Sequence, residues 1–505
     1  MNNVHRAGSG ILAYALACFG LACDSRGANV AAGPRALDGS PHVASALDAS
    51  AATHTGPAIV DAGPPPSPPY AFDDGDDDAD DPEDSPKERL GAHLTLTKVG
   101  TAPYALTHIC DLTSFKGSLY AAHANQPLGT DGATITRYTT DGDKPGKFSV
   151  AFDWNRPGEP TKGGGAGQGF LRVHKLGGRL FVADADPPYN GLAMVEYGTE
   201  GYVFVSDENG TFARARMPGY KPPLAPDANG KAGAAVLPRA YHVIDVARFG
   251  GEFFASTGSV PPTERAWHGP SPGALHRARP DLTRFVYDAD YPFPYQNGVW
   301  RLTYMTRFRG RLYAGIQDYD GREPNDYVYF TPDSDSADGG APGRSVGDLG
   351  DAGADRLAQN RARMKAFRVS DSGAAETLRW RVDPRTHTLY WIAWTRDGVH
   401  LRATRDGDTW ETIELPASAG RPTDIRRFGD DLVVMTERAL LSLAPDGKTT
   451  ELAHVDGKKT PFELSDFFCA APLGIYKGQL YVGGQRGGTL YRVDQVPEGA
   501  DAGAH

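Results

Sequence analysis

The sequence predicts an all-β protein with the architecture of a β-propeller. The first observation is a repeated pattern in which an apolar residue and a glycine turn are followed by a pair such as Leu-Tyr or Phe-Phe. It occurs at residues 115–120, 176–181, 249–254, 308–313 and 476–481. Glycine permits the tight turn between two strands, and the pair after it packs between neighbouring sheets. With the degraded copy at residues 428–433 included, the smallest spacing between successive copies is 48 residues. Propeller repeats of about 40 to 50 residues fit that minimum, and the longer spacings indicate loop insertions.

The second observation is the best-defined unit, residues 241–288, which contains four short runs of strand-forming residues. The runs cover residues 241–249, 252–256, 273–279 and 283–288, with turns at Gly250-Gly251 and Pro280-Asp281. This arrangement is typical of one four-stranded blade. A single such sheet cannot bury both of its faces, so it requires neighbouring blades.

The number of blades is predicted to be seven, with six as the alternative. Residues 428–433 are a degraded copy of the repeat, and residues 388–391 form a seventh copy without its glycine turn. In blade four, we assign residues 364–369 and 377–382 as the outer strands and residues 319–363 as an insertion. That assignment leaves blade five without a clear inner strand, which is why six blades stay open.

Closure of the ring is predicted from the two ends of the repeat region. The last blade lacks one strand, and the alternating run at residues 93–99 can supply it, so that no sheet edge stays exposed. Cys110 and Cys469 would lie on the inner strands of the first and last blades. We therefore expect a disulfide across the seam.

The turns between the third and fourth strands repeat an aspartate. They lie at residues 140–142, 206–210, 404–410 and 445–447. The hairpin 404–410, with Asp406, Gly407 and Trp410, resembles the Asp-box of BNR-type propellers, although it is one residue shorter than the commonest form and the other turns lack the tryptophan. In those families the box is a folding element, so the resemblance implies a fold and not an activity.

The N-terminal residues predict export. Residues 1–23 read as a signal peptide whose Leu21-Ala22-Cys23 ending resembles a bacterial lipobox, with Gly20 where leucine is commoner. Twelve apolar residues are too few to span a bilayer, for which about 20 are needed. We expect a lipid anchor at Cys23, with cleavage and export without a lipid as the alternative. The protein would then lie in the cell envelope or on the cell surface.

Composition divides the rest of the chain. Residues 24–90 are rich in Ala, Pro and Asp and predict a disordered tether, residues 91–496 form the single propeller, and residues 497–505 form a flexible tail. Eight aspartates and one glutamate between positions 73 and 84 account for most of the net charge of -11. The propeller therefore has no basic footprint for nucleic acid. We expect a monomer that meets the membrane only through its anchor.

Polar residues recur at one offset before the glycine turn. His108 and His242 coincide there, each followed three residues later by Asp111 or Asp245, and the same offset holds Arg301, Arg421 and Cys469. Such a ring at the channel mouth predicts a site for a carboxylate or phosphate. Two imidazoles with a carboxylate suit a divalent metal instead. The structural alternative is that these groups bond to backbone between blades, since residues three apart lie on opposite faces of a regular strand.

Long loops are predicted on one rim of blades one to four, which would place a ligand site there. These loops carry side chains that suit a sugar, with aromatic faces for stacking and oxygen atoms for hydrogen bonds. They are Asp184, Asp186, Tyr189, Asn190, Trp267 and His268. Asp318, Asp320 and Glu323 are weak candidates for calcium, and an ordinary solvated acidic loop is the alternative. Another divalent metal is also open, and no cofactor is identified.

The sequence favours a surface or envelope protein that binds a glycan or an envelope protein. One alternative is a glycosidase- or lyase-like enzyme acting on an anionic or sugar substrate at the same face. Another is a structural scaffold in an envelope complex. The sequence has no recognisable counterpart of the sialidase catalytic set, no Gly-x-Ser-x-Gly elbow and no His-Glu-x-x-His motif. Whether the protein is an enzyme is left open.

Overall fold

Seven four-stranded antiparallel sheets form a β-propeller, which confirms the predicted fold class and blade number. The computed structural model describes residues 90–91, 93–104, 106–124, 133–141, 146–154, 169–185, 200–213, 225–227, 229–259, 273–291, 299–318, 325–331, 352–369, 375–457, 459–464 and 468–496. The predicted signal peptide, most of the tether and the tail lie outside these residues.

Each blade runs from an inner strand to an outer strand in chain order, except the last. Blade one contains β2 (His108–Phe115), β3 (Ser118–Ala124), β4 (Thr134–Thr139) and β5 (Lys147–Asp153). Blade two contains β6 (His174–Leu176), β7 (Arg179–Ala183), β8 (Glu200–Val205) and β9 (Gly233–Pro238). Blade three contains β10 (Ala240–Phe249), β11 (Glu252–Ser259), β12 (Gly273–Ala278) and β13 (Phe285–Asp290).

The remaining blades follow the same order. Blade four contains β14 (Val299–Phe308), β15 (Arg311–Asp318), β16 (Tyr327–Phe330) and β17 (Met364–Phe367). Blade five contains β18 (Glu376–Asp383), β19 (Thr388–Thr395), β20 (Gly398–Thr404) and β21 (Glu411–Ile413). Blade six contains β22 (Pro422–Phe428), β23 (Asp431–Thr436), β24 (Ala439–Leu443) and β25 (Thr449–His454). Blade seven contains β26 (Leu473–Tyr476), β27 (Gln479–Gly483), β28 (Thr489–Gln495) and the N-terminal β1 (Leu94–Thr101).

The seam closes as predicted. Strand β1 pairs antiparallel with β28, from Leu94 opposite Gln495 to Thr101 opposite Thr489. A disulfide joins Cys110, on the inner strand of blade one, to Cys469, just before the inner strand of blade seven. The chain therefore holds its first and last blades together both by strand pairing and by a covalent bond.

The prediction for blade four is wrong in one strand. Residues 377–382 belong to β18, the inner strand of blade five, so blade five is complete and the six-bladed alternative is excluded. The third strand of blade four is β16, and helix α1 (Ala352–Arg363) lies between β16 and β17. Alternation in the sequence could not separate these strands because β18 is buried almost throughout, including Arg379 and Trp380.

The backbone conformation of the repeated turn explains why its sequence contains glycine. Lys116 and Gly117 have φ angles of 48° and 71°, and Lys477 and Gly478 have φ angles of 50° and 71°. Two successive residues with positive φ are what a type I′ hairpin turn requires, and glycine adopts this conformation without strain. The glycine in the motif therefore reports on the turn between the first and second strands and carries no information about the ligand.

The turns after the third strands are held by their aspartates. Asp406 Oδ1 accepts the backbone N–H groups of Asp408 and Thr409 at 2.8 and 2.7 Å. Asp207 Oδ1 accepts those of Asn209 and Thr211 at 2.9 and 2.8 Å in the same way. Capping by a carboxylate satisfies the donors of a tight turn. These turns stabilise the hairpins, while the specific BNR resemblance stays a prediction.

Aspartates on three inner strands connect their blades to the next ones along the chain. Asp111 Oδ2 accepts the backbone N–H of Val173 at 3.1 Å, between blades one and two. Asp245 Oδ2 accepts that of Met305 at 2.8 Å, between blades three and four, and Asp424 Oδ2 accepts that of Leu473 at 2.8 Å, between blades six and seven. All three carboxylates are buried. Each one satisfies a buried backbone donor in the neighbouring blade.

Arginines balance these carboxylates around the propeller axis. Arg379 of blade five donates to Asp111 Oδ1 of blade one at 3.2 Å and to the Cys110 carbonyl at 3.1 Å. Arg381 donates to both oxygens of Asp424 at 3.2 and 3.3 Å. Burial alone would raise the pKa of Asp111, but Arg172, Arg379 and Arg381 outweigh it and hold that pKa well below its usual range.

Substitution of Asp424 by Ala should destabilise the propeller by about 3–5 kcal/mol. The change removes the partner of the buried Arg381 guanidinium and leaves the Leu473 N–H without its acceptor. Chemical denaturation of Asp424→Ala, with Asp446→Ala as a control at an exposed turn, measures the difference. Equal stability of the two variants would show that the inner aspartates do not hold the blades together.

Candidate functional site

A β-bulge near the start of several inner strands sets the direction of the predicted site residues. The pairing register shifts between Ile109 and Asp111 in β2, and between Val243 and Asp245 in β10. A bulge adds one residue to one strand and reverses the alternation beyond it. The regular-strand rule used above therefore does not apply to His108 and Asp111. The bulge directs the aspartates towards the axis, where they bond to neighbouring blades.

His108 lines a cavity of about 580 Å³ on the face that carries the loops between second and third strands. The wall comes from three places: the start of blade one, the connection from blade six to blade seven, and the β27–β28 loop. Its residues are Thr107, His108, Lys459, Glu463, Leu464, Gln485, Arg486 and Gly487. The sequence analysis places its expected ligand site on the same face. The position differs, because the predicted long loops belong to blades one to four.

The cavity combines charged and neutral polar groups. Arg486 and Glu463 form an ion pair, and each side chain is about half exposed. Gln485 is buried, and its Nε2 donates to the Ile109 carbonyl at 2.8 Å. Its Oε1 has no hydrogen-bond partner among the described residues. A buried acceptor beside a cavity is suited to a donor on a bound molecule.

His108 and His123 form a buried pair behind this wall. His108 Nδ1 lies 2.7 Å from Thr107 Oγ1, and His123 Nδ1 lies 3.0 Å from the His108 carbonyl. Burial lowers the pKa of each histidine to about 4. Both imidazoles are therefore neutral at pH 7 and present hydrogen-bonding groups and no positive charge.

His242 lies with Arg301 at the entrance of blades three and four. Arg301 Nη2 donates to His242 Nε2 at 2.8 Å, and His242 Nδ1 donates to the Ala185 carbonyl at 3.2 Å. The Arg301 guanidinium also lies over the Phe468 ring, 5.7 Å from its centroid. Two of the predicted residues thus come together, but in a cluster that contains Phe468 from the connection to blade seven.

Arg421 supports the cavity from behind. Its Nη2 donates to Glu437 Oε1 at 2.7 Å and to the Leu464 carbonyl at 2.8 Å. The Leu464 N–H donates to the same Glu437 oxygen at 2.8 Å. Leu464 lines the cavity, so this network positions the wall. Burial alone would raise the pKa of Glu437, but the bonds from Arg421 lower it.

The other predicted residues are placed as follows. Asp184 is fully buried and accepts the Trp154 indole N–H at 3.1 Å, so it is not on the rim. Asp318 ends β15 opposite Val299. The others lie outside the described residues: Cys23, Asp186, Tyr189, Asn190, Trp267, His268, Asp320 and Glu323.

The described ranges contain neither a metal-binding cluster nor a membrane-spanning helix. There, no group of three or more His, Cys, Asp or Glu side chains is arranged to hold a metal ion. No helix in the same ranges has the length and apolarity that crossing a membrane requires.

Sequence reasoning missed most of the cavity wall. Lys459, Glu463, Gln485 and Arg486 come from connections that do not repeat between blades. Only His108 was identified, from its offset. A signal for the axial aspartates is present in the sequence, because Asp111, like Asp245 and Asp424, stands four residues before a phenylalanine.

No protein-family model and no curated protein sequence matches this chain. Among solved structures it is similar to a streptogramin B lyase, with 9% identity, a TM-score of 0.45, and coverage of 81% of this chain and 99% of that chain. It is also similar to virginiamycin B lyase from Staphylococcus aureus, with 9% identity, a TM-score of 0.40, and coverage of 80% and 100%. A Mycobacterium tuberculosis puromycin-hydrolysing peptidase gives 14% identity, a TM-score of 0.40, and coverage of 80% and 53%. These similarities concern the propeller fold and not an activity.

The stability of the protein should fall as the pH decreases from about 6.5 to about 4. Unfolded histidine titrates near 6.5, whereas the pKa of buried His123 is about 4, so the unfolded state takes up a proton first. The contribution of neutral His123 is therefore complete above pH 6.5 and declines below it, by about 3 kcal/mol at pH 4. Urea unfolding across this range measures the slope.

His123→Gln should make that slope shallower, because glutamine does not titrate and can still hydrogen bond to the His108 carbonyl or to Thr136. His93→Gln, at an exposed position before β1, controls for the change of residue type. An unchanged slope in His123→Gln would mean that another group causes the loss of stability.

Proposed function

We propose that this protein is an exported β-propeller, held at the cell envelope, that binds a glycan in the cavity between blades six, seven and one. The cavity itself is the observation that supports this function. At about 580 Å³ it has the size of a small-ligand site, and polar side chains from three segments converge on it. An envelope protein as partner would need a much larger surface, of about 800 Å² on each side.

The chemistry of the wall favours a hydroxyl-rich ligand. Thr107 offers a hydroxyl, Gln485 an amide oxygen that has no hydrogen-bond partner in the described part of the chain, and Lys459 three donors on a flexible stem. Sugars present hydroxyls that both donate and accept hydrogen bonds. Leu464, which is almost fully buried, adds one apolar side chain to the wall. A glycan thus matches the wall better than a purely apolar ligand does.

The pKa of His108 and the burial of Asp184 favour binding over catalysis. An efficient general acid or base has a pKa near the working pH. The pKa of His108 is lowered to about 4 by burial, so this group is a poor proton donor or acceptor at neutral pH. Asp184, a candidate carboxylate for glycosidase-like chemistry, is fully buried and bonded to Trp154. We therefore place the enzyme and scaffold alternatives behind glycan binding.

The proposed location rests on two features. The Cys110–Cys469 disulfide is typical of proteins in an oxidising compartment outside the cytosol. The Leu21-Ala22-Cys23 ending resembles a lipobox, which supports attachment through Cys23.

Glycan binding should depend on Lys459. A glycan array with the full chain identifies the bound sugar, and calorimetry with that sugar measures its Kd. Lys459→Ala should weaken binding about tenfold, the value of one hydrogen bond to a charged group. Lys448→Ala, at the exposed β24–β25 turn and remote from the cavity wall, should leave the Kd unchanged.

Two results would contradict glycan binding in this cavity. In the first, the protein binds no glycan on the array; in the second, both lysine variants and the unmodified protein have equal Kd values. Capture of an envelope protein by both variants alike would favour a protein partner.

Attachment to the membrane should depend on Cys23. In a bacterial host that processes lipoproteins, Cys23→Ala should move the protein from the membrane fraction to the soluble fraction. Cys18→Ala lies inside the predicted signal peptide and is the matched control, because it removes a thiol that the mature protein would not contain. Mass spectrometry of the N-terminal peptide detects the lipid directly. Membrane retention of the Cys23→Ala variant would contradict lipid attachment there.

A further inference from the structure

The charged groups of the cavity are arranged around one ion pair. Arg486 and Lys459 are exposed cations on the wall, and Glu463 is the acid that pairs with Arg486. The three groups leave a net positive charge at the cavity mouth. The carboxylate of Glu463 belongs to the protein itself, so the structure already shows a carboxylate on the Arg486 guanidinium.

That ion pair is weak enough to be exchanged. The Arg486 and Glu463 side chains are 48% and 42% exposed. Exposed pairs contribute little to stability and are screened by salt. A carboxylate on a ligand could replace Glu463 without disturbing the fold, because both partners lie on exposed connections and not in the buried strands of the blades.

The part of the wall behind the ion pair consists of uncharged side chains that can form hydrogen bonds. The buried Gln485 Oε1 needs a donor, and Thr107 and His108 stand beside it on the wall. Sulfate offers no donor to Gln485, and a neutral sugar offers Arg486 only uncharged hydroxyl oxygens in place of the Glu463 carboxylate. A sugar that carries a carboxylate satisfies both requirements at once.

We propose that the cavity binds an acidic sugar of the uronic acid type, whose carboxylate replaces that of Glu463 on Arg486 while a ring hydroxyl donates to Gln485. This inference rests on the proposed glycan-binding function and specifies its ligand. Glu463 is then an internal competitor for Arg486, which lowers the affinity for the acidic sugar.

The chain provides a matched control pair for the test. Arg385 and Asp430 form a similar ion pair, 59% and 43% exposed, at the β18–β19 and β22–β23 turns on the opposite face. Glu463→Gln and Asp430→Asn therefore remove the same charge from equivalent surroundings. Only the first lies at the cavity.

Calorimetry of the full chain with galacturonate dimers and trimers, and with galactose oligomers of equal length, tests the inference. We expect the acidic oligomers to bind at least tenfold tighter than the neutral ones. Glu463→Gln should strengthen acidic binding by about three- to fivefold and leave neutral binding unchanged. Arg486→Gln should reduce acidic binding to the level of neutral binding, and Asp430→Asn should change neither.

Equal affinity for acidic and neutral oligomers, or an unchanged or weakened acidic Kd in Glu463→Gln, overturns the acidic-sugar inference and leaves glycan binding intact. The absence of binding by these oligomers and by the whole glycan array overturns the proposed function together with this inference. The two failures are therefore distinguishable.

Discussion

A buried carboxylate that accepts a backbone N–H from the next blade is the interaction on which the propeller depends. Asp111, Asp245 and Asp424 make it at three boundaries of the ring. Sheets packed face to face by apolar side chains could slide, since the hydrophobic effect has no direction. A hydrogen bond to one specific backbone group fixes the register between blades. The bulge that turns each aspartate towards the axis is therefore part of the architecture.

Buried carboxylates require compensating cations, and two arginines of blade five supply them. Arg379 crosses from blade five to Asp111 in blade one, and Arg381 pairs with Asp424. Such pairs are costly to desolvate, so their net contribution to stability is modest, but the removal of one partner is severe. These buried ion pairs contribute specificity. A ring with another number of blades, or with blades at another angle, would leave a buried charge without its partner.

The sequence predicts the features that repeat from blade to blade, whereas the features that occur only once are visible in the structure alone. The glycine turns, the closing strand and the disulfide follow from periodicity and from the position of Cys110 and Cys469. Strand β18 was misassigned because buried strands lose their alternation. The cavity was missed because Lys459 and Arg486 belong to unrelated connections. Ring closure brings those connections together, and no local pattern encodes that proximity. Expectations for the loops of blades one to four stay predictions.

The cavity lies across the seam between blades one and seven, so a ligand that contacted its wall would depend on closure of the ring. Gln485 of blade seven donates to the Ile109 carbonyl of blade one, and the Ile109 N–H donates to the Gly484 carbonyl at 3.0 Å. The wall is complete only when blades one and seven are joined, as the Cys110–Cys469 disulfide and β1 ensure. A ligand that binds this wall binds only the closed ring, so by mass action it must stabilise closure. Such a ligand would add its free energy of binding to the strand pairing and the disulfide that already hold the seam together.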